Sequence, residues 1–353
     1  MTKGHHLEFD TAVDAVALGG SAAAHDLLLR WYPEELHFSE NSTESTDPPA
    51  PPPGRGVGCF FSGGVDSFYT ALKHIDEITH LIIIHGLDVS LSNGSMWDEL
   101  VDRARTAAEL LGKDLIEVRS NVRYLHAKHG PHWQRQAHGA FLAHVALLLS
   151  PHLRRVYVPA SDDDAHVIEP LGTHPDLDPL WSSRDLEIVH DGVDADRVTK
   201  LAYIQHSAVA MAHLRVCWSN LAGMYNCGTC EKCLRTMIGL HLVGATNRCT
   251  TLPKTISIDA VRWIYLDAAG DEGGLAAYID FLGQVITLEG PRTDLAVALQ
   301  DVVSRSRSRQ LGVTMRFYVV DVGLQLVRYR LRQALRHRTP QVHEERAVTE
   351  QAA

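Results

Sequence analysis

The chain has 353 residues, of which 45% are hydrophobic and 22% charged, enough for a packed core in one large domain with attachments or in two domains. No apolar run approaches the length of a bilayer span, and the N-terminus lacks the cationic and then apolar order of a signal peptide, so we expect a soluble, cytoplasmic protein. The net charge of −10 argues against a general affinity for nucleic acid.

Four segments are predicted along the chain. Residues 1–40 form an N-terminal segment whose structure the sequence does not define, and residues 41–56 form a polar, proline-rich linker that is expected to be extended. Residues 57–250 form the central domain, and residues 251–353 a mostly helical C-terminal extension with a basic tail. In that tail, nine arginines and one acidic residue lie between positions 303 and 338. Such a stretch can contact RNA or an acidic partner, but it is more often a solvated helix face.

Short apolar runs alternate with amphipathic stretches in the central domain. Strands are predicted at residues 57–61, 80–87, 114–118 and 155–159, and helices at 68–74, 96–111, 133–149 and 198–214. Further helices are predicted at residues 274–288 and 312–337 of the C-terminal extension. Alternation of this kind indicates βαβ units and an α/β fold, with a doubly wound parallel sheet covered by helices on both faces.

A glycine-containing loop separates the first predicted strand from the first predicted helix. It reads Ser62-Gly63-Gly64-Val65-Asp66-Ser67. Two adjacent glycines let backbone N–H groups approach a ligand closely, and the helix that follows directs its positive end at the same place. The hydroxyls of Ser62 and Ser67 add donors, so the loop suits a pyrophosphate group. Asp66 can hold a Mg²⁺ ion between the phosphates or cap the helix.

Two common phosphate-binding motifs do not fit this loop. A Walker A loop ends in Gly-Lys-Ser/Thr, and no lysine is present; a dinucleotide-binding fingerprint has a third glycine, where this chain has Asp66 and Ser67. The hexapeptide instead resembles the PP-loop signature of the ATP pyrophosphatases, which include GMP and NAD synthetases, argininosuccinate synthetase, tRNA lysidine synthetase and tRNA thiolases.

The resemblance implies a sheet of the PP-loop (HUP) type, with ATP at the carboxyl ends of the strands and cleavage between its α- and β-phosphates. Asp66 and Ser67 are the implied catalytic residues. The implied ligands of ATP and its departing pyrophosphate are Ser62, Gly63, Gly64, Val65, Asp66 and Ser67. Asp88, after the second strand, is implied to contact the ribose or the adenine edge, although a residue at this place can also simply start a turn.

Three further positions are candidates because of where they fall in the predicted sheet. Ser161 begins an acidic stretch, Ser161–Asp164, after the fourth predicted strand, where an α/β sheet places its ligands. These residues can bind Mg²⁺ or an amine, or they can cap the next segment. Arg197 and Lys200 lie at the start of a predicted helix, where a cation can stabilise charge developing on the α-phosphate, although most surface cations have no such role.

Four of the six cysteines fall within seventeen residues. They are Cys217, Cys227, Cys230 and Cys233. Two Cys-x2-Cys steps present thiolates to one ion, so we expect a closed structural Zn²⁺ site, with an iron–sulfur cluster as the main alternative. The lone cysteines, Cys59 and Cys249, lack the environment of a reactive thiol.

The sequence around these cysteines narrows the resemblance. Together with the PP-loop at a similar distance, it is similar to the zinc region of 7-cyano-7-deazaguanine synthase. The resemblance covers roughly residues 57–242; the N-terminal segment, the linker and the C-terminal extension have no counterpart in that enzyme. Residues 160–193 do not match its substrate-binding residues either, so a relative with a different substrate is expected.

The expected function is adenylation of a carboxylate or amide oxygen of a small molecule, followed by attack of ammonia or another nitrogen nucleophile. Expected cofactors are ATP, Mg²⁺ and Zn²⁺. One alternative is sulfur insertion into a small molecule or tRNA, with a persulfide on Cys249 or a separate donor protein. Another is a nucleotide-binding protein without catalysis. Partners to consider are a nitrogen- or sulfur-donor protein, tRNA through the basic tail, and a second copy of the chain; no membrane partner is expected.

Overall fold

The computed structural model describes residues 13–37, 45–46, 52–130, 132–161, 163, 168–220, 224–266 and 272–322. Seven strands, numbered in chain order, lie within these ranges: β1 (Val13–Asp14), β2 (Ser45–Thr46), β3 (Gly56–Phe60), β4 (His80–His85), β5 (Asp114–Arg119), β6 (Leu153–Pro159) and β7 (Glu187–Asp191). The first two pair with each other in parallel, and the other five form one sheet.

Helices account for most of the other described residues. In chain order they are α1 (Ala15–Trp31), α2 (Val65–Lys73), α3 (Gly94–Leu110), α4 (Val122–His129), α5 (His138–Leu148), α6 (Arg197–Ile204), α7 (Ala208–His213), α8 (Glu231–Leu242), α9 (Ile258–Arg262), α10 (Glu272–Glu289), α11 (Asp294–Val303) and α12 (Arg307–Arg316). A 3₁₀ turn spans Asp178–Trp181, and π-helical turns span Trp133–Ala137 and Phe317–Val322. None of the described helices combines the length and apolarity needed to cross a bilayer.

The five-stranded sheet has the order β5-β4-β3-β6-β7, and every neighbouring pair is parallel. The predicted α/β class and parallel sheet are therefore confirmed. Strands β3 and β4 are buried along almost their whole length, because helices cover both faces of the sheet. The chain leaves β3 towards β4 on one side and later places β6 on its other side. In open α/β sheets, ligands bind at such a reversal, which here lies at the carboxyl ends of β3 and β6.

Several elements differ from the sequence-based prediction, among them helices α1 and α4, which were not predicted. Strand β7, at the sheet edge, was not predicted either; only two of its five residues, Ile188 and Val189, are apolar, and its two buried residues are Ile188 and Asp191. The helix predicted at 198–214 is two helices, because Ser207 caps α7 by accepting a hydrogen bond from the Ala210 N–H at 3.2 Å. The helix predicted at 133–149 begins with a π-helical turn before α5.

The N-terminal segment packs onto the central domain through α1. Its Leu28 and Tyr32 belong to a small apolar cluster with Leu177, and a Cβ atom at Gly20 would lie 2.1 Å from the Leu180 carbonyl oxygen. The close approach requires glycine at this point of the helix. The connection after β6 is thus covered by a segment that the sequence left undefined. The predicted linker also contributes β2, which pairs with β1.

Candidate functional site

The glycine loop lies at the reversal point of the sheet, between β3 and α2. Gly63 has φ +74°, a left-handed conformation that favours glycine. Gly64 is the N-cap of α2, and no side chain caps the helix, so Asp66 does not have the capping role that was one of its predicted alternatives. The first helical bond runs from the Phe68 N–H to the Gly64 carbonyl at 3.0 Å. The N–H groups of the residues between them therefore have no acceptor within the helix.

The two serines of the loop orient its backbone. The Ser62 hydroxyl accepts a hydrogen bond from the Gly64 N–H at 3.3 Å, and the Ser67 hydroxyl donates to the Gly64 carbonyl at 3.1 Å. Ser62 is exposed, whereas Val65 and Ser67 are buried. Val65 consequently offers a ligand its backbone rather than its side chain. The loop places its N–H groups at a helix N-terminus, where proteins commonly bind anions.

Asp66 joins the loop to α6 through two cations. Its carboxylate lies 3.0 Å from Nη1 of Arg197 and 3.4 Å from Nζ of Lys200. Lys200 is 1% exposed and also donates to the Ala160 carbonyl at 2.8 Å. Burial alone would raise the pKa of the Asp66 carboxyl, but the positive charges of Arg197 and Lys200 outweigh it and hold the pKa below its ordinary value. The predicted pair of α6 cations is thus placed directly beside the loop.

A second carboxylate fixes the far end of α2. Asp191, the last residue of β7, accepts hydrogen bonds from Thr70 at 2.8 Å and from Lys73 at 3.2 Å, and it lies 2.9 Å from Nε2 of His74. Thr70 and Lys73 lie one turn apart on the same face of α2, and His74 is the C-cap of that helix. Sequence reasoning assigned Asp191 no role, because its partners are more than one hundred positions away.

Asp88 and Ser161 lie on the same edge of the sheet as the loop. The Asp88 side chain is exposed, and its carbonyl accepts a hydrogen bond from the Asn220 side chain at 2.9 Å. Ser161 follows β6 and is exposed. Of the acidic stretch that it begins, Asp162 and Asp164 lie outside the described residues. Both residues therefore lie at the carboxyl edge of the sheet, and their roles towards a ligand stay predictions.

A histidine completes this edge. His138, at the start of α5, is half-buried and packs edge-on against Trp133, with ring centroids 5.7 Å apart. Burial lowers the pKa of its imidazole, opposed by the negative charges of Asp88 and Asp178.

The four clustered cysteines converge at one point. Their sulfur atoms lie within 4.8 Å of one another, with Cys227–Cys233 and Cys217–Cys230 separations of 3.9 Å. A tetrahedral Zn²⁺ site with bonds of about 2.3 Å has sulfur–sulfur edges of about 3.8 Å. The side-chain set therefore fits a metal ion such as zinc, and within the described residues no other group of three or more such ligands converges.

Local geometry explains how the cysteine loop closes. Gly228 has φ +70°, and a Cβ atom there would lie 2.6 Å from Pro253, so glycine is required. The Cys230 N–H points to the Cys227 sulfur at 3.2 Å. Asn226 ties the two arms of the cluster together: its Oδ1 accepts from the N–H groups of Val216 at 2.9 Å and Cys217 at 3.2 Å. Sequence reasoning did not single out Asn226, although it directly precedes the first cysteine of the loop.

The two lone cysteines are both buried. Cys59 lies in β3 with no exposed surface, and burial raises the pKa of its thiol. Cys249 is 1% exposed, and its sulfur lies 3.5 Å from the Thr251 hydroxyl. Neither thiol is exposed to a ligand bound at the Ser62–Ser67 loop.

Comparison of the chain with protein-family models, with curated proteins and with solved structures finds no match. The candidate site combines a glycine loop at the reversal point of a parallel sheet, two cations bound by one carboxylate, and four convergent cysteines.

Proposed function

We propose that the chain is an ATP-dependent synthetase of the PP-loop type, which adenylates a carboxylate or amide oxygen and then transfers the activated group to ammonia or another nitrogen nucleophile. The observation that carries the proposal is the position of the Ser62–Ser67 loop at the switch point of the sheet, with Asp66 bound by Arg197 and Lys200. A parallel sheet binds its ligands at this point.

The loop suits the leaving group of this reaction. A substrate oxygen attacks the α-phosphorus of ATP, the bond to the β-phosphate oxygen breaks, and pyrophosphate leaves. The nitrogen nucleophile then attacks the activated carbon, loses a proton and displaces AMP. Unpaired N–H groups at the start of α2 can take the charge that collects on the pyrophosphate, so the chain supplies electrostatic stabilisation and needs no covalent nucleophile.

Arg197 and Lys200 are suited to stabilise charge because they are already held in place. Arg197 is fixed by Asp66 and by the Thr236 hydroxyl at 3.2 Å, and Lys200 by Asp66 and the Ala160 carbonyl. Cations that are oriented before the substrate binds lose little freedom during the reaction. We assign Arg197 and Lys200 to binding of the ATP phosphates, and Ser62 and Ser67 to orientation of the ATP.

The chain offers a complete set of ligands for Zn²⁺, but the Ser62–Ser67 loop offers only one carboxylate for Mg²⁺. The four cysteines would hold Zn²⁺, which in a closed site stabilises the fold rather than takes part in the reaction. Asp66 would be the Mg²⁺ ligand implied by the PP-loop resemblance, but its carboxylate faces two cations at 3.0 Å and 3.4 Å. Mg²⁺ there would be bound mainly by phosphate oxygens and water, as it commonly is in nucleotide sites.

Sulfur insertion is the second candidate reaction. The burial of Cys249 argues against a persulfide carried by that thiol, so the sulfur would come from a separate donor. A role of the basic tail in binding tRNA cannot be followed, because residues 323–353 lie outside the described part of the chain. A nucleotide-binding protein without catalysis would bind ATP in the same crevice and leave it intact.

Exchange of labelled pyrophosphate into ATP tests the adenylation step without knowledge of the nucleophile. The purified protein is offered ATP, Mg²⁺ and a panel of carboxylic acids and amides that includes 7-carboxy-7-deazaguanine. We expect exchange with at least one member, and its loss in a Ser67→Ala variant. ATP that binds but shows neither exchange nor cleavage with any member would instead favour the binding protein.

A further inference from the structure

One arm of the cysteine centre reaches the Ser62–Ser67 loop, and the other reaches the cation beside it. On the N-terminal side, the Arg215 N–H donates to the Gly63 carbonyl at 2.8 Å, two residues before Cys217. On the C-terminal side, Cys230 is the N-cap of α8, and Thr236 of that helix bonds Arg197, the partner of Asp66. The glycine turn and Arg197 are thus hydrogen-bonded to residues that lie two and three positions from the nearest cysteines.

The first turn of α8 presents one cation that the described residues leave unpaired. Glu231 is held by the Tyr278 hydroxyl at 3.2 Å and by Arg235 at 3.2 Å. Lys232, the next residue, lies between two of the cysteines in sequence and is exposed. Its ammonium group makes no hydrogen bond or ion pair with any residue in the described ranges, whereas Arg197 and Lys200 are both bound to Asp66.

Lys232 lies one turn before Thr236, the residue through which α8 contacts the candidate site. The Thr236 hydroxyl donates to the Lys232 carbonyl at 2.7 Å and accepts a hydrogen bond from Arg197 at 3.2 Å, and residues four apart lie on the same face of a helix. The charge of Lys232 also contributes, after burial and closer ionised neighbours, to the lowered pKa values of Asp66 and His138. Since the cysteine cluster surrounds Lys232 in sequence, the direction of this side chain depends on the cluster's geometry.

We propose that the cysteine centre is a positioning device for the nucleotide, and that Lys232, held by this centre over the crevice, binds the phosphates of ATP. Lys232 is then the cation that completes the phosphate site, while Arg197 and Lys200 remain partly neutralised by Asp66. Loss of the metal would therefore weaken nucleotide binding, although no residue of the Ser62–Ser67 loop is changed. This inference rests on the proposed function, because it takes ATP as the ligand.

Binding of α,β-methylene-ATP, which cannot be cleaved between its α- and β-phosphates, tests the role of Lys232 by calorimetry. We expect Lys232→Met to weaken binding about tenfold or more, since a phosphate loses one charge-assisted hydrogen bond, and Lys232→Arg to retain most of the affinity. Arg292→Met is the matched control: Arg292 is an exposed cation in the turn before α11, and its loss should leave the affinity within about twofold.

The metal arm of the proposal is tested on the same protein. Lys232→Met should keep its metal content and its circular dichroism, which separates lost binding from lost folding. Removal of the metal from the wild-type protein by a chelator should weaken binding of the same probe by tenfold or more, and restored metal should recover it.

The outcomes separate this inference from the proposed function. If the wild-type protein does not bind α,β-methylene-ATP, the proposed function fails and this inference fails with it. If the wild-type protein binds the probe and Lys232→Met binds it equally well, or if the metal-depleted protein binds it equally well, the inference is overturned and the proposed function stands.

Discussion

Replacing Asp66 by asparagine is expected to lower the free energy of unfolding by about 2 kcal/mol at neutral pH, because the change leaves Lys200 without a counter-charge in a site where it is 1% exposed. The estimate is below the usual cost of breaking a fully buried pair, since the Asp66 side chain retains 20% exposure. ATP cleavage should fall at least tenfold, because Arg197 and Lys200 lose the group that orients them. Urea denaturation and turnover assays measure the two effects.

The pH dependence of this stability loss follows from the pKa of Asp66. Burial opposes ionisation, but Arg197 and Lys200 outweigh it and lower the pKa in the folded state. The carboxylate therefore contributes stability above its unfolded pKa of about 4, and this contribution disappears as the pH falls through the lower folded value. The difference between wild type and Asp66→Asn should accordingly shrink below about pH 4.

A surface aspartate provides the control for this change. Asp114 is 85% exposed and lies 3.7 Å from His80, so Asp114→Asn should alter the free energy of unfolding by less than about 0.5 kcal/mol. Equal stability of Asp66→Asn and Asp114→Asn at pH 7 would contradict the assigned ion pairs.

Replacing Cys233 by serine is expected to abolish stoichiometric metal binding and to lower the free energy of unfolding by about 3 kcal/mol or more. Cys233 has no exposed surface, and its sulfur is one of four that converge within 4.8 Å. A structural metal contributes its binding energy to folding, and a site with three thiolates binds it more weakly. Metal analysis by mass spectrometry and urea denaturation measure the result.

Cys249→Ser is the matched control, because Cys249 is equally enclosed at 1% exposure but lies outside the four-cysteine group. It should keep one metal ion per chain. Retention of the metal by Cys233→Ser, or its loss in Cys249→Ser, would contradict the assignment. If the purified protein showed the visible absorption of an iron–sulfur cluster, the four cysteines would remain the ligands, but the bound cofactor would be that cluster and not zinc.

The central strands of the fold were predictable because their environment is uniform. Strands β3 and β4 are buried on both faces and carry no polar residue except the histidines at the two ends of β4, which gives a clear signal. Strand β7 gives no such signal, since only Ile188 and Val189 of its five residues are apolar. Helix α1 escaped prediction because Gly19 and Gly20 weaken its helical pattern, and the need for Gly20 appears only with Leu180 packed against it.

The candidate site divides in the same way between local and distant information. The glycine loop and the cysteine cluster are contiguous motifs, so the sequence alone locates them. The pairing of Asp66 with Arg197 joins residues 131 positions apart. Both were candidate site residues from the sequence, but their contact was not predicted. Asp191 and Asn226 were missed because their importance lies in their hydrogen-bond partners, which a single sequence does not reveal.

Identification of the ATP bond that breaks tests the central claim most directly. The wild-type protein is incubated with ATP, Mg²⁺, ammonium and the substrate that supports pyrophosphate exchange, and the nucleotide products are separated. We expect AMP and pyrophosphate in equal amounts, with their formation dependent on Asp66 and Ser67. ADP and phosphate would mean that the Ser62–Ser67 loop does not act as a PP-loop, and would contradict the account.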